Sequence, residues 1–192
     1  MSNIFFTSDN HFGHKSILKF CPNTRQGSTV EEMDELMIQK WNSQVSVNDT
    51  VYLLGDFSFR NAEQTVQILL RLNGNKHIVL GNHDKWPNGA TKKMFFSINT
   101  YKEIKVAGQK VILFHFPIVE WNSMHCGSFH LYGHVHGNYA HSGRAMDVGI
   151  DARPQKDMGL WEWSEIVDLL KHRPILTKYG REDGSIADHG SF

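Results

Sequence analysis

The stretch that decides the fold is Ile4-Phe5-Phe6-Thr7-Ser8-Asp9-Asn10-His11, which lies close to the N-terminus. Its three consecutive apolar residues predict a short buried strand. Asp9 and His11 follow that strand at once, and both are residue types that bind divalent metal ions. Their i, i+2 spacing places both side chains on one face of an extended segment. The stretch therefore predicts a strand that brings a carboxylate and an imidazole to the same place.

Four further apolar runs end in residues of the same chemical kind. They are followed by Gly55-Asp56, Gly81-Asn82-His83-Asp84, His115 and Gly133-His134-Val135-His136. Because the carboxyl ends of parallel strands face one crevice, we expect these polar side chains to converge there. Carboxylate, imidazole and amide groups suit manganese, iron, cobalt or zinc. We expect the glycine before Asp56, Asn82 and His134 to let the chain turn sharply where each strand ends.

Apolar runs and amphipathic helices alternate in the first half of the chain, which is an α/β pattern. Thr29-Val30-Glu31-Glu32 is a capping box that begins one helix, and Asn61 is expected to cap a second. Ser164 is expected to cap a last helix that ends at Leu170. The first half is therefore predicted to form parallel strands joined by helices.

The second half has more strand-like segments. Residues 101–106 and 110–114 flank a turn and predict a hairpin, and residues 129–132 and 145–150 predict two more strands. Residues 175–192 are polar and rich in glycine, which favours a loosely ordered tail. Since no repeat and no linker interrupts the pattern, we expect one domain over residues 1–192.

The charge balance and the cysteines restrict the possible functions. Twenty basic and twenty acidic residues cancel, so binding of long nucleic acid is not expected, although a local basic patch is left open. Cys21 and Cys126 form no CxxC motif and are interpreted as reduced thiols. Neither a signal peptide nor a run of about 18 apolar residues that would span a membrane is found. We therefore expect a cytoplasmic protein.

The order of the five motifs resembles that of the calcineurin-like metallophosphoesterase family. The family pattern is D-x-H, G-D, G-N-H-[DE], H and G-H-x-H, and every element is present between residues 9 and 136. Asp9-Asn10-His11-Phe12-Gly13-His14 and Trp41-Asn42-Ser43 resemble a compact branch of the family that occurs in bacterial and phage genomes. The resemblance implies an α/β fold in which two mixed β-sheets form a two-layer sandwich flanked by helices.

The resemblance also implies a site with two divalent metal ions, manganese first, with iron, zinc, nickel or cobalt as alternatives. One ion would bind Asp9, His11, Asp56 and His136, and the other would bind Asp56, Asn82, His115 and His134. Asp56 would bridge the two ions. His83 would face the substrate, and Asp84 would accept a hydrogen bond from His83 and fix its tautomer.

The activity implied by the resemblance is hydrolysis of a phosphate ester. Two metal ions about 3.5–4 Å apart lower the pKa of a bridging water, and the resulting hydroxide attacks phosphorus in line. His83 would protonate the departing oxygen. We expect a phosphodiesterase with a small substrate, such as a nucleotide or cyclic nucleotide. A phosphomonoesterase and a non-catalytic scaffold of the same fold are the alternatives, and the oligomeric state is left undetermined.

Several residues near the motifs have no assigned role in this interpretation. His14 is equally compatible with a substrate contact and with exposure to solvent. Arg25, Arg60 and Lys85 are interpreted as solvated side chains in preference to phosphate clamps. Taken singly, each motif residue would more often cap a strand or a turn, and it is their joint order that indicates a metal site.

Overall fold

The computed structural model describes residues 2–85 and 89–177, and its strands form two sheets. The strands are β1 (Ile4–Thr7), β2 (Thr50–Leu53), β3 (Asn75–Val79), β4 (Ser97–Asn99), β5 (Tyr101–Val106), β6 (Gln109–Phe114), β7 (Phe129–Tyr132), β8 (Ala145–Asp147) and β9 (Trp161–Glu162). The helices are α1 (Ile17–Phe20), α2 (Val30–Gln44), α3 (Ala62–Arg71), α4 (Gly89–Lys92) and α5 (Trp163–Leu170). From residue 178 onward, the predicted tail lies outside the described residues.

Both sheets contain parallel and antiparallel strands. The first sheet has the order β4-β3-β2-β1-β9, in which β1 to β4 are parallel and β9 is antiparallel to β1. The second has the order β5-β6-β7-β8, in which β5 and β6 form an antiparallel hairpin and β6 to β8 are parallel. The predicted α/β fold of two mixed sheets flanked by helices is confirmed.

The layers follow from the alternation of side chains along the strands. Neighbouring residues on a strand point to opposite faces of its sheet. On β1, Phe5 packs in a cluster with Met33 of α2 and Leu69 of α3, whereas Phe6 packs in a second cluster with Leu113 and Leu131 of the other sheet. The two sheets therefore share an apolar interior, and α2 and α3 cover the outer face of the first sheet.

The helix caps agree with the sequence at two of the three predicted positions. The side chain of Thr29 accepts a hydrogen bond from the backbone N–H of Glu32, and that of Asn61 accepts one from Gln64. The expectation that Ser164 caps the last helix is wrong. Glu162 caps it in a reciprocal capping box with Glu165, whose carboxylate accepts from the Glu162 N–H at 2.8 Å.

Three features of the β structure bear on the strands predicted from the sequence, namely the hairpin turn, the end of β8 and strand β9. The hairpin turn consists of Ala107 and Gly108, whose φ angles of 47° and 88° suit a two-residue turn. The strand predicted over residues 145–150 ends early, at Asp147, because its carboxylate accepts the Gly149 N–H at 2.6 Å and bends the chain. Strand β9 was not predicted, since two residues are too few to show a period.

The loops that carry the motifs meet at the carboxyl ends of the parallel strands. The backbone N–H groups of Asp9 and His11 donate to the carbonyls of Gly55 and Asp56, both at 3.0 Å. Ser8, which follows β1, forms an isolated parallel bridge to Gly149, which follows β8 of the second sheet. Hydrogen bonds between loops therefore join the two sheets at this edge.

None of the helices within residues 2–85 and 89–177 has the length and apolar character that are needed to cross a membrane. The longest, α2, has 15 residues.

Candidate metal centre

The backbone is unusual at the predicted metal ligands. Five of them have a positive φ between 48° and 71°, namely Asp9, His11, Asp56, His134 and His136. Side chains other than glycine seldom adopt this left-handed conformation, which persists only where the surroundings enforce it. Such strain is concentrated at functional sites, and here it turns successive side chains toward one another at the ends of the strands.

A first group of candidate ligands consists of Asp9, His11 and His136. Asp9 Oδ1 lies 3.8 Å from His11 Nε2 and 3.9 Å from His136 Nε2. These distances are too long for hydrogen bonds but shorter than twice a typical ligand–metal distance of about 2.1 Å. Asp9 Oδ1 and His11 Nε2 are buried, and neither has a hydrogen-bond partner among residues 2–85 and 89–177.

Two buried polar atoms without partners would be costly in a folded protein. Both atoms belong to the first group and face each other, so a cation bound between them would satisfy both. The donor set, one carboxylate and two imidazoles, suits a divalent transition metal. These residues therefore fit a metal ion.

A second group consists of Asp56, His115 and His134, whose ligand atoms lie within 4.8 Å of one another. His115 Nε2 is 3.5 Å from Asp56 Oδ2 and 3.0 Å from Asn82 Oδ1, which adds Asn82 to the group. Asp56 Oδ2 is also 3.8 Å from His11 Nε2 in the first group. All seven predicted ligands therefore lie in two adjacent groups, with Asp56 between them.

Charges within the site keep its carboxylates ionised. Burial by itself would raise the pKa of Asp9, but the close approach of His11 and the nearby His136 and His115 hold that pKa below its ordinary value. The pKa of Asp56 is likewise lowered, because the contacts with His115 outweigh the effect of burial. Both carboxylates are thus available as ligands at neutral pH.

In two candidate ligands, His115 and His136, the ring nitrogen Nδ1 lies beside an oxygen atom that can only accept a hydrogen bond. His115 Nδ1 lies 2.7 Å from the carbonyl oxygen of Leu54, and His136 Nδ1 lies 2.7 Å from Asp151 Oδ2. Each Nδ1 must therefore carry the proton and donate it. In each ring it is Nε2 that faces the site, and its lone pair is available to a metal ion when the ring is neutral, which is the arrangement expected of a metal ligand.

Three glycines lie so close to the candidate ligands that a side chain would not fit. A Cβ at Gly133 would collide with Ser8 and Asp9, one at Gly81 would collide with Asp56, and one at Gly55 would lie 2.5 Å from His115 Nδ1. Only Gly55 has a positive φ, at 91°. Gly81 and Gly133 thus provide room for the candidate ligands, whereas at Gly55 the left-handed backbone is a second reason for glycine.

His83 and Asp84 have different surroundings. His83 is exposed and belongs to neither ligand group, and its backbone N–H donates to Asp56 Oδ1 at 2.9 Å. The expectation that Asp84 binds the His83 side chain is wrong. Buried Asp84 accepts three backbone hydrogen bonds, from Asp56 and Gly81 to Oδ2 and from Phe57 to Oδ1. Asp84 therefore holds the loop after β2 against the loop after β3.

The interpretation of Arg25 as a solvated side chain is also wrong. It is only 5% exposed, and its guanidinium pairs with Asp151 through Nη2–Oδ2 at 2.6 Å and Nε–Oδ1 at 2.9 Å. It also donates to the carbonyls of Asp9 and Asn10. Arg25 therefore fixes the backbone of the first motif, while its partner Asp151 holds the ring of His136.

Asp151 is a site residue that sequence reasoning missed. Burial would raise the pKa of its carboxyl, but the hydrogen bond from His136 and the charge of Arg25 hold that pKa far below its ordinary value. Asp151 follows β8 and lies 126 residues from Arg25 in the chain. No local pattern links such distant residues, so the sequence contained no signal for this pair.

Comparison with known proteins agrees with the geometry. The family of calcineurin-like phosphoesterases matches residues 2–189. The chain is 33% identical over 141 residues to an uncharacterized protein of Methanocaldococcus jannaschii, covering 72% of each chain. It is 32% identical to the Gene 66 protein of Mycobacterium phage L5, covering 90% of this chain and 96% of that protein. A crystal structure of a protein of unknown function, AQ665 from Aquifex aeolicus, superposes with a TM-score of 0.67 at 24% identity, covering 88% of this chain and 100% of that chain.

We predict that Asp151→Asn weakens metal binding by about 10–100-fold, because loss of a partner that orients a ligand has an effect of this size. The apparent Kd for manganese, measured by titration calorimetry, checks the expectation. Asp157→Asn is a matched control, since Asp157 pairs with Lys40 and Arg153 and contacts none of the candidate ligands. An unchanged affinity in folded Asp151→Asn would contradict the proposed role of Asp151.

Proposed function

The chain belongs to the calcineurin-like phosphoesterase family, and we propose that it is a phosphodiesterase that uses two divalent metal ions. The observation that carries the proposal is the position of Asp56 Oδ2. It lies 3.8 Å from His11 Nε2 in one ligand group and 3.5 Å from His115 Nε2 in the other. A single carboxylate that lies between two groups of imidazoles is well placed to act as a ligand shared by two metal ions.

The proposed ligand sets follow from the two groups. Asp9, His11, His136 and Asp56 would hold one ion, and Asn82, His115, His134 and Asp56 would hold the other. When bound, the ions supply a water of lowered pKa and neutralise negative charge on the phosphoryl oxygens. Mixed oxygen and nitrogen donors without a thiolate favour manganese, iron, cobalt, nickel or zinc, and manganese is our first expectation.

His83 is proposed as the general acid. Its backbone N–H is anchored on Asp56 Oδ1 at 2.9 Å, which keeps the residue beside both ligand groups. Its ring is exposed and lies 6.1 Å from the ring of His11, outside the ligand sets. An exposed imidazole next to the reacting phosphate can protonate the departing oxygen, a contribution that is typically about 10²–10⁴-fold.

Two arginine pairings favour a diester over a monoester as substrate. A phosphate monoester carries a second negative charge, which a guanidinium clamp usually neutralises. Arg25 is buried against Asp151, and Arg60 pairs with Asp34 at 2.8 Å, so neither guanidinium is free to act as a clamp. A diester, which has a single negative charge, places no such demand on the site.

The direct test is hydrolysis of bis-p-nitrophenyl phosphate by the purified protein. With added manganese, we expect release of p-nitrophenol at a higher kcat/KM than from p-nitrophenyl phosphate. Removal of metal by a chelator should abolish the activity, and manganese should restore it. Full activity in the presence of the chelator would contradict metal dependence, and faster hydrolysis of the monoester would contradict the diester assignment.

A separate prediction isolates the role of His83. His83→Ala should retain its metal ions and lose about 10²–10⁴-fold in turnover on alkyl esters, whose alkoxide departs poorly without a proton. Esters of p-nitrophenol should suffer least, because nitrophenolate departs readily unprotonated. Metal content and kcat are measured on diesters of graded leaving-group pKa. A variant without metal, or one slowed equally on every ester, would show that His83 is not the acid.

A further inference from the structure

Four rings form a row that leads away from the site along the surface. The rings of His83 and Phe59 are 4.7 Å apart, and those of Phe59 and His14 are stacked at 4.1 Å with an interplanar angle of 10°. Phe20, at the end of α1, continues the row at 6.3 Å from His14. The row therefore begins at the proposed general acid and ends at an exposed helix.

The two phenylalanines of the row are exposed to an extent that core packing does not explain. Phe59 is 39% exposed even though His14 covers one of its faces, and Phe20 is 71% exposed. Neither residue belongs to an apolar cluster of the interior. Exposed apolar rings beside an active site are a common feature of ligand-binding surfaces.

A cavity of about 350 Å³ adjoins the row where it meets the site. Its lining consists of Ser58, Phe59, Arg60, His83 and Lys85. Since His83 would protonate the departing oxygen, whatever occupies this cavity belongs to the leaving group of the substrate. The cavity offers that group the ring of Phe59 and the cationic side chain of Lys85, whereas the charge of Arg60 is paired with Asp34.

Basic residues accompany the row along its length. Lys15 follows His14 in the chain, Lys19 precedes Phe20, and Lys85 lies shortly after His83; all three lysines are exposed. Within residues 2–85 and 89–177, none of these three lysines has a carboxylate partner, whereas Arg60 is paired with Asp34. The three lysines are therefore available to a ligand that carries several negative charges.

From this arrangement we propose that the substrate is a short single-stranded oligonucleotide whose leaving strand lies along the row Phe59–His14–Phe20. Aromatic rings on which bases stack, together with cationic groups that follow the phosphates, are the means by which proteins bind single strands. The base next to the cleaved bond would stack on Phe59, and the following base would reach Phe20. The inference rests on the phosphodiesterase proposed above and names its substrate class.

The length of the strand is limited by the charge of the chain. Twenty basic and twenty acidic residues leave no excess of positive charge that would hold a long polyanion. Recognition is thus confined to the few nucleotides that the row can accommodate. A duplex, whose bases are paired and stacked, would present no free base to Phe59 or Phe20.

The test uses thymidine dinucleotides in which the base is removed from one side or the other. The leaving side is identified as the nucleoside released with a free hydroxyl group. We expect removal of its base to lower kcat/KM by roughly tenfold to a hundredfold, the usual effect of losing one stacked base. Removal of the base on the other side should have little effect.

Substitutions in the row test whether its aromatic rings cause the loss of kcat/KM that follows removal of the leaving-side base. Because the Phe59 ring also packs against His11 and His83, the diagnostic result for Phe59→Ala and Phe59→Leu, with their metal content verified, is a ratio. Their kcat/KM should fall roughly tenfold to a hundredfold further on the intact dinucleotide than on the substrate that lacks the leaving-side base. Phe20→Ala should slow only substrates with two or more nucleotides on the leaving side. Phe96→Ala is the matched control, because Phe96 is 73% exposed and contacts His77, away from the site.

A binding measurement separates this inference from the proposed function. In a chelator, fluorescence polarisation of a labelled hexathymidylate should show binding that is weakened by Phe59→Ala and Phe20→Ala, and by abasic nucleotides. Hydrolysis of base-bearing and abasic diesters at equal rates would overturn the inference and leave the phosphodiesterase intact. If no diester is hydrolysed, the proposed function fails. In that case, equal binding of hexathymidylate and its abasic analogue would overturn the inference as well.

Discussion

The structure depends on one buried carboxylate, Asp9, whose two oxygens have different surroundings. Its Oδ2 accepts the backbone N–H of His134 at 2.8 Å and so joins the loop after β1 to the loop after β7 of the other sheet. Its Oδ1 faces His11 and His136 and has no hydrogen-bond partner within the part of the chain that the structure describes. A buried oxygen of this kind is costly unless a cation occupies the position that it faces. Folding and metal binding are therefore coupled at Asp9, so bound metal should stabilise the folded chain.

Support for this carboxylate comes from residues that never face the substrate. Arg25 donates to the carbonyls of Asp9 and Asn10 and is itself neutralised by Asp151. Asp84 accepts hydrogen bonds from three backbone N–H groups in the loops after β2 and β3. These buried carboxylates offset the cost of the left-handed backbone at the candidate ligands, because they fix the loops that impose it. The geometry of the site is therefore set by hydrogen bonds between loops as well as by the strands.

The sequence predicted what depends on local pattern. Each motif follows an apolar run, so the five strands and the convergence of their carboxyl ends could be inferred from neighbouring residues. The roles of Asp84 and Arg25 could not, because their partners, such as Phe57 and Asp151, are distant in the chain. The predicted cap at Ser164 was wrong for a different reason, which is local. Both Glu162 and Ser164 can cap a helix, and only the reciprocal bond with Glu165 decides between them.

The central claim is that Asp56 is shared by two metal ions, and anomalous diffraction from manganese-soaked crystals tests it most directly. The account predicts two anomalous peaks about 3.5–4 Å apart. One should adjoin Asp9, His11 and His136, the other should adjoin Asn82, His115 and His134, and the Asp56 carboxylate should contact both. A single peak, or two peaks of which only one contacts Asp56, would contradict the account.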